Sequence, residues 1–139
     1  MTPFGQAPAF RLEVDVAPPV ALDPASGGPV RLVAISGGRV TGGLTGRILP
    51  GGADWQTLAE DGSLAIEARY LLELDDGARI ALTSRGARRA DAAGFWSSIW
   101  LHCADPRHRE LDGAQFLARG RKHDRGVVIE AFALPDPSD

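Results

Sequence analysis

The chain alternates between apolar and polar positions. In the segment "FRLEVDV" (10–16), Phe10, Leu12, Val14 and Val16 are apolar while Arg11, Glu13 and Asp15 are charged. Successive side chains of a strand point to opposite faces, so this pattern predicts a strand with one buried face. Two is the dominant period of the chain, and further strands are predicted at 30–36, 39–49, 64–74, 78–86, 95–103, 115–122 and 127–134. No long stripe at helical spacing interrupts it. Between 30–36 and 39–49, Gly37-Gly38 predicts a two-residue hairpin turn. Asp75-Asp76-Gly77 predicts a three-residue turn that pairs Leu72 with Ile80 and Tyr70 with Leu82. "HDRG" (123–126) predicts a last hairpin, and 17–29 and 87–94 read as loops. Asp105-Pro106 is the pattern of an N-cap and a first helical residue, predicting a short helical turn through Leu111.

About eight short-linked strands predict an all-β protein, a single antiparallel β-barrel with lipocalin-like general architecture. Closure removes exposed edges, and eight strands leave an interior for packed side chains or one small ligand. A two-sheet sandwich is the alternative. At 139 residues the chain is expected to be one domain, 1–139, with loose ends at 1–8 and 135–139. Apolar residues make up 44% and charged residues 24%, which argues against disorder. A net charge of −3 argues against nucleic-acid binding. No apolar run suits a membrane span, and the first residues lack a signal-peptide pattern. Cys103 has no cysteine partner, which suits a reducing cytoplasm.

Three sets of residues invite chemistry. In "LPGGADWQ" (49–56), Asp54 either caps the turn or acts as an acid/base at a barrel mouth. Trp55 then either plugs the barrel end or raises the pKa of Asp54 as an apolar wall. No lysine follows the glycines at phosphate-loop spacing. In the second set, the turn register puts Glu67 opposite Arg85, with Arg69 two residues along on the same face. Outside the barrel this is a charge ladder. Inside, the arginines would hold a carboxylate or enolate oxygen. The third set is Trp96, Ser98, Trp100 and His102, on one face of a strand whose other face is also apolar. It is either a ligand wall with a titratable group or a packed surface. The histidines His102, His108 and His123, with Cys103, lack zinc spacing, so no metal and no cofactor are expected. His102 and Cys103 point to opposite faces, which excludes a Cys–His pair.

The segments "ISGGRVTGGLTGRILPGGADWQ" (35–56), "ARYLLELDDGARIALTSRG" (68–86) and "DPRHRELDGAQFLARG" (105–120) resemble bacterial domain-of-unknown-function family 3237. The resemblance runs from about Phe10 to Leu134 and implies a compact antiparallel β-barrel, with no assigned reaction. His102 stands where the family pattern has an acid. Glu110 and Asp112 stand where it has tryptophan and asparagine. Trp96 and Trp100 replace polar or basic residues, which implies a more aromatic site if they line the cavity.

The expected function is a small cofactor-free enzyme of isomerase, cyclase or lyase type acting on an apolar or aromatic metabolite, with room for an anionic group on it. Asp54, Glu67 and His102 are the acid/base candidates. Trp55, Arg69, Tyr70, Arg85, Trp96 and Trp100 are the ligand-binding candidates. The alternatives are a non-catalytic small-molecule carrier and a subunit that dimerises through its tryptophan face.

Overall fold

The structure is a computed structural model that describes residues 2–138. Ten strands form one antiparallel sheet: β1 (Phe10–Val16), β2 (Val20–Asp23), β3 (Gly27–Gly42), β4 (Gly46–Ile48), β5 (Ala53–Leu58), β6 (Leu64–Leu74), β7 (Arg79–Arg88), β8 (Gly94–His102), β9 (Gln115–His123) and β10 (Gly126–Ala133). The order runs β1-β10-β9-β8-β7-β6-β4-β3, and β1 pairs with β3 to close the barrel. β4 and β5 are two pieces of one stave, since both lie between β3 and β6. The barrel therefore has eight staves, as the alternation predicts.

Two of those staves are assembled differently from the sequence reading. Gly37-Gly38 makes no hairpin; β3 runs straight through it. β1 crosses β3 there, and the register slips between Asp15 and Val16. A side chain on Gly38 would collide with the Glu13 carbonyl. The glycine pair thus serves close approach of two backbones, a role that looks the same in sequence as a turn. The proline-rich segment 17–29 is not all loop either. Val20–Asp23 pairs with the start of β3 as a short edge hairpin. The turn at 75–77 has the predicted register, with Tyr70 opposite Leu82 and Leu72 opposite Ile80.

The barrel interior has two halves. Towards the 75–77 turn it is solid: Leu12, Leu72, Ile80, Ile99 and Leu101 are fully buried, and Phe10 meets Phe116 edge-on with ring centres 4.9 Å apart. Each such side chain contributes about 1.5–3 kcal/mol of burial. A 3-10 turn, Pro106–Leu111, caps this end. As predicted, the Asp105 carboxylate accepts the Arg107 N–H at 3.0 Å. Asp112 accepts the Cys103 N–H at 3.0 Å, while His108 Nε2 lies 2.6 Å from Asp76 on the 75–77 turn. Those bonds tie the packed end together, and the open space of the lumen lies towards the other end.

Candidate functional site

The open half of the lumen holds a cavity of about 100 Å³. Inward positions of the strands build it. Val14 of β1, Ile35 of β3, Ile66 of β6, Phe95 of β8 and Ile129 of β10 form apolar walls. Into this wall β5 sends Asp54 and Gln56, and β6 sends Tyr70. The volume is several times what one water needs, about 10–15 Å³. It falls short of the roughly 300–1,000 Å³ of drug-sized sites, so a larger ligand would keep one end at the mouth.

Asp54 owes its position to the break in its stave. After Ile48 the chain leaves the sheet at Leu49–Gly52 and rejoins it at Ala53. The break is clamped to β3, because Ile35 N–H donates to the Gly52 carbonyl at 2.9 Å. Asp54 then lies between Val33 and Ala68, pointing inward. Its Oδ2 accepts from Gln56 Nε2 at 2.9 Å, and Gln56 Oε1 accepts from Arg31 Nε at 2.6 Å. Its Oδ1 is buried without a hydrogen-bond partner, and so is the Tyr70 hydroxyl. Burial lifts the Asp54 carboxyl from 3.8 to about 6, against the smaller opposing effects of the Gln56 hydrogen bond and the Arg31 charge. Burial, then the Asp54 charge, pushes the Tyr70 phenol above its usual value, so Tyr70 stays a donor. An ionised oxygen, a fixed phenol donor and an apolar wall thus meet in one place.

The other residues singled out by sequence stand on the outer face of the barrel. Trp55, Trp96 and Trp100 are each about half exposed there. Glu67, Arg69, Arg85 and His102 are exposed, and none of these seven lines the lumen cavity. The reason is the pleat: Ile66, Ala68 and Tyr70 take the inward positions of β6, leaving Glu67 and Arg69 outside. The more aromatic site implied by Trp96 and Trp100 is therefore absent from the cavity. Glu67 and Arg85 do pair, at 3.3 Å, with side chains 57% and 75% exposed. Glu67→Gln is expected to shift the melting temperature by less than about 4 °C, because an exposed pair contributes at most about 1 kcal/mol. A larger drop in a thermal melt would mean that the outer charge ladder carries structure.

Sequence reasoning missed Arg31, Gln56, Arg88, Phe95 and Lys122. All five line the cavity. The signal was present: Arg31 shares a face with Val33 and Ile35, and Arg88 shares one with Ile80, Leu82 and Ser84. A charge at the end of an apolar face marks a barrel mouth.

The family described as "Protein of unknown function (DUF3237)" matches residues 5–134. A UPF0311 protein of Bradyrhizobium diazoefficiens is 43% identical over 58 residues, which are 42% of this chain and 38% of that relative. The match thus spans well under half of the curated relative's length. A beta-barrel like protein from Acinetobacter baumannii shares the fold with a TM-score of 0.83 and 30% identity, over 93% of this chain and 94% of that one. An enzyme from Penicillium herquei shares it more distantly, with a TM-score of 0.64 and 17% identity over 94% of this chain and 99% of that one. With its profile matched along nearly the whole barrel, the chain belongs to the DUF3237 family.

Proposed function

We propose that the protein is a small cofactor-free enzyme that moves a proton on an apolar or aromatic metabolite bound in the barrel. The observation that carries this is Asp54: a carboxylate in an apolar lumen, raised to about 6, with one oxygen left unpaired. A base works best with a pKa near the working pH. At neutral pH Asp54 is mostly ionised, and Oδ1 has no competing donor. It would take a proton from a carbon beside a carbonyl, or from a hydroxyl. The Tyr70 hydroxyl would donate to the oxygen where negative charge develops. Returning the proton to another atom of the same molecule completes an isomerisation or cyclisation. Loss of a leaving group instead gives elimination. The Penicillium herquei enzyme shares only the fold, so it offers a precedent for the scaffold and no reaction.

A thermal-shift screen of metabolites, followed by turnover assays on the binders, tests this reading. Asp54→Asn is expected to keep binding within about threefold and to lower turnover by roughly 10²–10⁴-fold, the usual contribution of a general base. Binding by the wild type with no change in any bound metabolite would favour the carrier reading instead. Turnover unchanged in Asp54→Asn would remove Asp54 from the chemistry.

A further inference from the structure

The proposed site has a second polar feature that proton transfer does not use. Arg88 is the last residue of β7 and takes its inward position, at the open end of the barrel. Its side chain is half-buried, and its Nε is buried with no hydrogen-bond partner. Among the described residues no carboxylate lies within ion-pair distance of it. Leaving a guanidinium N–H desolvated and unmatched is unfavourable. Nearby surface arginines are paired: Arg89 lies 3.5 Å from Asp91, and Arg85 lies 3.3 Å from Glu67. Arg31 and Lys122, also at the cavity, add positive charge at the same end. Asp54 lies deeper, beside Tyr70, with Gln56 and Arg31 between it and the mouth. The lumen therefore runs from a proton acceptor at depth, through an apolar middle, to a cationic mouth.

We propose that the lumen takes a ligand carrying a carboxylate, held by Arg88 at the mouth, with an apolar or aromatic body between it and Asp54. This rests on the lumen being the ligand site. The guanidinium fork matches a carboxylate in geometry as well as charge. The small cavity volume agrees, since it leaves one end of a ligand at the rim. Arg31 is partly engaged with Gln56, and Lys122 is exposed, so Arg88 is the residue that sets the preference.

The test compares 4-hydroxyphenylacetate with its neutral isostere 4-hydroxyphenylacetamide by calorimetry at pH 7.5. The ring hydroxyl can satisfy both Asp54 and Tyr70, so only the far end differs between the two probes. The carboxylate is expected to bind about tenfold tighter than the amide, as one hydrogen-bonded charge would give. In Arg88→Gln that ratio is expected to fall to about one while the amide holds its affinity; Arg88→Lys keeps part of it. The wild-type ratio stands as a test even if a variant folds poorly. Equal binding of the two probes by the wild type, or a preference that survives Arg88→Gln, overturns the carboxylate proposal and leaves the lumen reading intact. Binding of neither probe overturns both.

Discussion

Asp54→Asn is expected to melt about 5 °C above the wild type at pH 7.5, and by less than half that margin at pH 4.5. The Asp54 carboxyl has a value of about 6 in the folded barrel against 3.8 unfolded, with burial as the main cause. The folded state thus holds the proton more tightly. Its stabilising effect is complete below about 3.8 and is lost as the pH rises through about 6. Above that, the protein carries an ionised carboxylate in a poorly solvated lumen. The full shift corresponds to about 3 kcal/mol, and partial solvent access brings it to about 1–2 kcal/mol. Asparagine keeps an acceptor for Gln56 and removes the charge. A domain of this size moves by roughly 3–4 °C per kcal/mol. Taking the difference between variant and wild type cancels the other carboxylates, such as Asp105, which Arg107 holds down at about 2. Equal melting at both pH values would mean that Asp54 is well solvated, and the proton-transfer proposal would lose its basis. A gain in stability at the expense of turnover is expected where a site keeps a strained group for function.

That contrast also shows which parts of the protein a sequence can convey. The burial of β6 alternates without a break from Leu64 through Ile66, Ala68 and Tyr70 to Leu74, as its apolar period predicts. Alternation assigns faces because a barrel strand has only an inside and an outside. It fails where both faces are apolar. In β8, Ser97 and Ile99 are buried while Trp96 and Trp100 stand half exposed outside. Bulk alone would have turned that strand around. Asp54 was legible as a candidate because the turn residues Pro50-Gly51-Gly52 lead straight into an acid beside a tryptophan. Its unpaired oxygen was not, because the partners that could satisfy it come from β3 and β6, far away in sequence. Arg88 went unread for a related reason. One arginine among Arg85, Arg88 and Arg89 looks like its neighbours until the register gives the other two carboxylates and leaves Arg88 at the lumen.

Gly52→Ala is expected to destabilise the barrel by about 3 kcal/mol, a drop of about 10 °C in melting temperature. A β-carbon at Gly52 would stand 2.5 Å from the Arg69 carbonyl oxygen, 2.5 Å from the Tyr70 β-carbon and 2.8 Å from the Tyr70 α-carbon. These partners cannot move aside as the tip of a long side chain could. They belong to β6, which is paired along its length with β7. Gly52 cannot retreat either, since its carbonyl accepts from Ile35 N–H and the neighbouring Gly51 N–H donates back to the Ile35 carbonyl. The clash must therefore spread the β3–β6 seam at the level of Tyr70, and Asp54 is two residues away. Gly51→Ala separates this from a plain loss of glycine flexibility. Gly51 has a φ of +111° but nothing within 4 Å of an added β-carbon. It should cost about 1 kcal/mol of backbone strain and leave the cavity intact. Thermal melts and binding of 4-hydroxyphenylacetate by both variants give the comparison. A Gly52→Ala protein that melts within about 2 °C of the wild type and binds the probe equally well would show that the PGG break does not position the site. The expected outcome is a loss of both stability and binding at Gly52, with a small loss of stability alone at Gly51. It would assign the most conspicuous motif of the sequence to geometry: the two glycines carry the chain past Tyr70 so that Asp54 can face the lumen.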